Sequence, residues 1–560
     1  MAPWKSKDAT SEVEEPVDEG APGPAISVPD TGDTGEGGKL KMIVQLVKKC
    51  FGVKDIASMR LSLPASLLEP MPNLEFSQYL DRPDYFASIN EYDDPFERML
   101  AVIRWTMTKD LKYIRGKVCK PYNSVLGEHF RTHWDVPPIS HSTTEPDEPP
   151  IPQTHVTKPT TGAEQPEFNL PGGAGAGPSD TASIASERSS KSSLKSNKTP
   201  STAATTPQQD GMVDDVANRV SVLELNEGKE GEKKIRVVYL TEQISHHPPI
   251  SAYYGLCPDR HVELLGIDQI IARISGTVLK VGPGVQNKGM FVRITGGKGS
   301  GELYRVTHPV ASVNGLLRGS FYVTVTESIV ITCTSGRGGK QFRTVIEYKE
   351  ESWLGKPHYL IEGVIHTVSE GDTQHEEWTK VKHVPPSRVV ATLDGTWRGL
   401  IRWKRSGTGS YPSHVLSGGA HSVTNSPDPS HAALPSPSDH KGASSRSDLM
   451  TTMDDEWRTL VDLSTLWAVP KQVRELERQG EKESRKLWDG VTSRLLKKEF
   501  SEATREKIEI EQRQRDEAAE RKKKGVEFVP RFFEQDIESG IPALTEEGKK
   551  AVQEELKEEN

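Results

Sequence analysis

Between Ile235 and Trp403 the chain repeats one texture: short apolar runs broken by polar, glycine-bearing turns. IRVVYL, SAYYGL, ELLGIDQIIARI, MFVRIT, GSFYVTVT, SIVITC, FRTVIEY, HYLIEGVIHT, VVATLDGTW and GLIRW follow one another at close spacing. Runs this short, rich in Val, Ile, Tyr and Thr, read as strands. Close spacing with glycine-rich turns such as TGGKGSGE predicts a large antiparallel sheet or barrel. Helical patterns flank it. Phe96, Met99, Leu100, Ile103 and Met107 share one face within residues 74–117, and the chain turns helical again from Trp457. The fold class is therefore α+β.

Much of the chain cannot join that sheet. Only 34% of its 560 residues are hydrophobic, with 47 Gly and 39 Pro. Residues 1–38 carry nine acids against two lysines and show no periodicity, which predicts a disordered acidic tail. Residues 137–230 and 405–450 are dominated by Ser, Pro, Thr and Gly and read as disordered insertions with candidate phosphorylation sites. Residues 541–560, with six acids and three lysines, read as a second acidic tail. The net charge is −9 and the two tails together carry −10, so the body between them is close to neutral at +1. Four well-separated cysteines (Cys50, Cys119, Cys257, Cys333), with no CxxC spacing, read as free buried thiols. No window reaches the ~18–20 consecutive apolar residues of a spanning helix, and the N-terminus lacks a secretory core. A soluble, cytoplasmic protein is expected.

Leu40, Ile43, Val44, Val47 and Phe51 recur at helical spacing with lysines between them, predicting an amphipathic helix within residues 39–60. It is either an ordinary packed helix or a movable lid whose apolar face covers a ligand or touches a membrane. A proline-punctuated connector, Leu61–Phe76, follows.

Three short runs carry candidate chemistry. In YLTEQISHHPP (Tyr239–Pro249) a strand-like run ends in two adjacent imidazoles, and Pro248-Pro249 then removes two backbone donors. His246 and His247 are thus fixed at a strand end, as suits an anionic headgroup better than an apolar core. In KPYNSVLGEHF (Lys120–Phe130), Pro121 and Gly127 set a turn that bears the Lys120 cation and Asn123. Taken alone, that is an ordinary surface lysine. Lys507, Glu511 and Arg515, at i, i+4 and i+8, line one helix face, which by itself is most simply a solvated ion-pair face.

EQISHHPP resembles the EQVSHHPP fingerprint of the oxysterol-binding-protein-related lipid carriers, with one Ile/Val exchange in eight positions. KPYNSVLGEHF resembles that family's KPxNPxLGExF block, with Ser124 in place of a frequent proline. EATREKIEIEQRQRDEAAERK resembles its C-terminal helix. The similarity runs from Leu61 to Gln535 less the two insertions, so the lipid-binding domain is expected over residues 61–540. The resemblance implies a large incomplete antiparallel β-barrel with a hydrophobic tunnel, an N-terminal helical lid and flanking C-terminal helices. It implies one lipid held at a time, phosphatidylinositol 4-phosphate alternating with a second. Carried over by position, Lys120, His246, His247, Lys507 and Arg515 surround the phosphoinositide headgroup and Glu511 orients the cations. KPYN, SHHPPISAYY and the C-terminal helix look more like the phosphatidylserine-exchanging branch than the sterol branch. On that branch Lys120 and Asn123 hold the second headgroup, Leu40, Ile43, Val44 and Val47 form the lid, and Leu63 belongs to its hinge. Sterol is the alternative second ligand. The expected protein is a monomer, peripheral on membranes, including endoplasmic reticulum contact sites, with no enzymatic activity, cofactor, metal or nucleic acid.

The rival classes are weaker. Ser245 beside two histidines lacks the GxSxG turn of a serine nucleophile. His129, His133, His246 and His247 show no HExxH spacing for zinc. No basic domain or motif points to nucleic acid. EFSEATRE (Glu499–Glu506) reads as helix rather than as an endoplasmic-reticulum-targeting peptide. A scaffold acting through the insertions is compatible with lipid binding. If the two histidines donate to phosphate, phosphoinositide affinity should rise as pH falls toward ~6, where imidazolium forms. An affinity that stays flat in a titration of the purified protein from there to neutral pH counts against their direct contact.

Overall fold

The computed structural model describes residues 26–27, 36–59, 61–115, 120–142, 149–156, 225–226, 234–316, 321–334, 341–351, 357–369, 371–406 and 457–558. The expectations for residues 1–25 and 28–35, for Cys119 and for most of the two insertions lie outside these residues, while residues 36–38, expected in the disordered tail, already belong to a helix that starts at Glu36.

Among the described residues, fifteen strands form one antiparallel sheet. They are β1 (His129–Val136), β2 (Ile235–His246), β3 (Pro249–Cys257), β4 (Val262–Ser275), β5 (Val278–Pro283), β6 (Met290–Ile294), β7 (Leu303–Val306), β8 (Val310–Asn314), β9 (Tyr322–Thr326), β10 (Ser328–Thr334), β11 (Gln341–Tyr348), β12 (Leu360–Val368), β13 (Val389–Thr396), β14 (Leu400–Arg405) and β15 (Arg458–Asp462). The sheet forks at β4. Its first half lies between β3 and β6, and its second half pairs with β5, which leads on to β8 and β9. The far edge is β15 and the near edge β1. The segment after β15 returns to β1, where His133 and Gln472 exchange backbone bonds of 3.1 and 2.9 Å. The sheet thus comes close to closing on itself, as the sequence led us to expect.

Helix α1 spans Glu36–Cys50, and the main core forms around the next long helix, α2 (Pro95–Thr108). Its start is set by Asp94, whose carboxylate accepts from the Phe96 N–H at 2.7 Å, and by Pro95 in the first turn. The sequence suggested one apolar face. The structure instead buries α2 all round, with Val102 and Trp105 joining Phe96, Met99 and Ile103 against Phe342 and Trp403. Its two arginines are paired internally, Arg98 with Glu302 and Arg104 with the Leu460 carbonyl. Three of the cysteines, Cys50, Cys257 and Cys333, are free and buried.

Three corrections follow. Residues 541–560 are not simply a tail: α5 (Glu546–Leu556) packs Ala551 and Val552 into a cluster with Leu240 and Phe532, and Glu555 bonds His133 at 2.7 Å. Apolar residues at helical spacing were hidden there among the charges. The insertion expected from residue 137 starts later, because Ile139 is buried and Ser140 pairs with Ile151. Helix α1 ends at Cys50, and it seats Met42, Leu46 and Cys50 rather than the expected stripe. Leu40, Ile43, Val44 and Val47 are only partly buried, and Phe51 is 69% exposed. An apolar arc wider than the seat leaves the choice of face to what lies beneath. Leu63 is buried with Met42.

Candidate functional site

Strand β2 carries the twin histidines to the mouth of a cleft. A register shift between Gln243 and Ser245 bends the strand end, and His246 then pairs with Pro249 across the hairpin. The two rings meet edge to face, 4.4 Å between centroids, and both are half-buried.

Two carboxylates brace this strand end. The Glu242 carboxylate accepts the backbone N–H groups of Arg531 and Phe532, each at 2.8 Å, so the EQISHHPP glutamate grips the FVPRFF segment. Burial is the largest influence on its carboxyl and raises its pKa. Glu128 is fully buried. It accepts from Val125 N–H (3.0 Å), the Ser484 hydroxyl (2.7 Å) and Trp488 Nε1–H (3.0 Å). Burial pushes its carboxyl up to about 7 despite these three donors. The adjoining turn is joined to β2 by backbone bonds from Gly127 N–H to the Gln243 carbonyl and from Gln243 N–H to the Glu128 carbonyl. Gly127 has φ +79°, which favours glycine, and a Cβ there would press on the Phe528 ring at 3.3 Å.

The opposite wall is a long helix, α4 (Phe500–Lys524), preceded by α3 (Ser484–Leu496). The α4 N-terminal part is anchored by Ala503, buried among Leu63, Tyr122 and Trp488, and by a bond from Ala65 N–H to the Thr504 hydroxyl at 3.1 Å. Beyond that anchor one face bears Lys507, Glu511 and Arg515 in succession. Glu511 lies between its cations, 2.6 Å from Lys507 Nζ and 3.9 Å from Arg515. Lys507 is almost completely buried.

Hairpin and helix enclose a cleft of about 290 Å³. His246, His247, Arg515 and Arg521 line it, with Leu126 and Phe528 as its apolar part. Two imidazoles and two guanidiniums converging on so small a space make a site for an anion with several oxygens.

Of the residues expected to act together, His246, His247 and Arg515 meet in this cleft. Lys507 lies eight residues along the same helix face, roughly 12 Å from Arg515 by helical rise. Lys120 and Asn123 do not line the cleft. Lys120 Nζ donates to Asn123 Oδ1 at 2.6 Å and to the Pro121 carbonyl at 2.9 Å, folding onto its own turn. That turn is held to α3 by Tyr122, which packs on Trp488 and bonds Thr492. Arg521 and Phe528 were missed from sequence. Arg521 falls six residues beyond Arg515, about 120° round the helix, so the i+4 pattern does not reach it; it lines the cleft in register with Gln514 and Ala518.

A zinc reading fails on position: His129 packs on Phe532 and is taken down to about 4 by burial, while His133 is engaged by Glu555. Among the described residues no group of three His, Cys, Asp or Glu could hold a metal, and no helix is long and apolar enough to cross a membrane.

Residues 42–160 and 224–558 match the family described as Oxysterol-binding protein. The chain is 38% identical over 535 residues to Oxysterol-binding protein-like protein 1 of Schizosaccharomyces pombe, covering 94% of this chain and 92% of that one. It is 24% identical over 523 residues to Oxysterol-binding protein-related protein 9 of Mus musculus, covering 91% of this chain but only 50% of that longer relative. The fold is similar to a crystal structure of the Osh1 ORD domain in complex with cholesterol, with TM-score 0.51, 16% identity, and coverage of 91% and 88% of the two chains.

Proposed function

The chain belongs to the oxysterol-binding protein family, whose members bind and transfer lipids without enzymatic chemistry, and we propose that it exchanges phosphatidylinositol 4-phosphate for phosphatidylserine between membranes. The observation that carries the proposal is the cleft in which His246, His247, Arg515 and Arg521 converge. A phosphorylated inositol offers several anionic oxygens, and these four side chains are donors of the matching kind. Lys507, buried on the same helix face with Glu511 between it and Arg515, adds a third cation along that helix.

Exposing an acyl chain to water is unfavourable by ~0.8 kcal/mol per methylene, so a carrier must enclose its lipid. Helix α1 suits a lid. Met42 seats it on the cluster with Leu63 and Trp488, Cys50 on the cluster over β4 and β5, and Leu46 touches both. Among its described side chains only Met42 and Cys50 are fully buried, so lifting it need not unfold the sheet. Lys120 and Asn123, on the turn beside that seat, are our candidates for the phosphatidylserine headgroup. Phosphatidylserine is chosen over other second lipids on the KPYN, SHHPPISAYY and EATREKIEIEQRQR runs.

One observation favours a sterol instead. Deep inside, Tyr79 donates to Asp268 at 2.8 Å beside Tyr253 and His308, and burial pushes Asp268 up to about 7 and His308 down to about 4. Such a cluster suits a ligand with a hydroxyl at its buried end better than an acyl terminus.

Lipid analysis by native mass spectrometry of the full chain purified from a eukaryotic host tests the proposal. Bound phosphatidylserine and phosphatidylinositol 4-phosphate, one per protein, is the expected result. Sterol replacing phosphatidylserine, and lost in Tyr253→Phe, establishes the second reading. No lipid under any loading condition rejects both.

A further inference from the structure

Helix α4 ends in a cationic run, Arg521, Lys522, Lys523 and Lys524, and stops at Gly525 in the left-handed conformation (φ +63°). The next residues form a loop before Phe532 and Phe533 enter the core. From Arg521 to Val529 there are four cations and one carboxylate, Glu527. Lys522, Lys523 and Lys524 are exposed, and Val526 and Val529 expose 56% and 69% of their surface. Cations in the last turn of a helix also offset its dipole, which accounts for some of the lysines. It gives no reason for two valines held in water beside them. Phe528, between those valines, and Arg521, at the start of the run, both line the histidine cleft.

We infer that the Lys522–Val529 turn is a docking surface for an anionic lipid bilayer, with Val526 and Val529 entering the interface and the lysines lying against the headgroups. Charge complementarity selects this occupant: clustered lysines beside short apolar side chains match an anionic layer over an apolar one. Docking there brings the cleft mouth to the membrane surface, because Phe528 belongs to both and Arg521, next to the turn, lines the cleft. The inference rests on the lipid-carrier reading, and its test separates the two.

Full-length protein is floated with vesicles of phosphatidylcholine, with or without phosphatidylglycerol and free of phosphoinositide. Wild type should bind the anionic vesicles and release them as salt rises. Lys522→Glu/Lys523→Glu should weaken that binding at least ~10-fold, and Val526→Ser/Val529→Ser at least ~3-fold. These side chains are exposed and outside the cleft, so both variants should still bind a soluble short-chain phosphatidylinositol 4-phosphate as wild type does. Equal vesicle binding by wild type and variants overturns the inference and leaves the turn to a protein partner. Loss of the short-chain lipid along with the vesicles also overturns it, since the turn would then belong to the headgroup site. If no form binds the short-chain lipid but the vesicle pattern holds, the lipid-carrier reading fails and the docking surface stands.

Discussion

His246→Ala/His247→Ala should lower the affinity for phosphatidylinositol 4-phosphate at least ~100-fold, because each charge-assisted hydrogen bond to phosphate contributes about 1.5–3 kcal/mol. Extraction of the lipid from donor vesicles by purified protein measures it. The change should be confined to that ligand. The two rings are half-buried at a hairpin end and belong to none of the apolar core clusters, so their loss leaves the core intact. The thermal midpoint should barely move, and uptake of the second lipid should stay near wild type. Near-normal phosphoinositide extraction by a folded double variant would remove the cleft from the headgroup site. Equal loss of both lipids would point instead to a damaged barrel.

The second large effect is on stability. Glu128→Ala should destabilise the native state by ~3–5 kcal/mol, since it leaves the Val125 N–H, the Ser484 hydroxyl and Trp488 Nε1–H buried without their acceptor. Urea unfolding of the full chain, followed by tryptophan fluorescence, reads it directly. A pH dependence accompanies it. The Glu128 carboxyl sits at about 7 in the fold against an ordinary 4.5. The native state therefore holds a proton that the unfolded chain has released between those values. Stability from this group is complete below pH 4.5 and falls as pH rises through 7. Its share is on the order of 3 kcal/mol. Glu128→Gln should flatten this part of the profile. An unchanged slope would assign it to another buried acid, such as Asp268, which burial also holds at about 7.

The roles of individual residues were legible to different depths. The twin histidines could be placed at a strand end because Pro248-Pro249 stops the ladder in the sequence itself. The helix carrying Lys507, Glu511 and Arg515 was legible because helical spacing is local. Glu128 and Glu242 could be seen only as letters of a motif. Their partners, Trp488 and Phe532, lie hundreds of residues away, and nothing local distinguishes a buried acceptor from a solvated acid. The last twenty residues misled for a related reason. Their charge count describes the exposed side of α5, while a few apolar residues among the charges decide where it docks.

What the sequence determined by itself is whatever depends on near neighbours: the strand texture, the helix periods, the proline stops and the short runs that carry the family likeness. The tertiary structure alone decided which apolar face of α1 is seated, that Lys120 turns onto Asn123 and away from the cleft, and that Arg521 and Phe528 complete it. Each of those outcomes is a competition between contacts distant along the chain. Packing and desolvation resolve it only once the sheet has curved and brought the competing surfaces together.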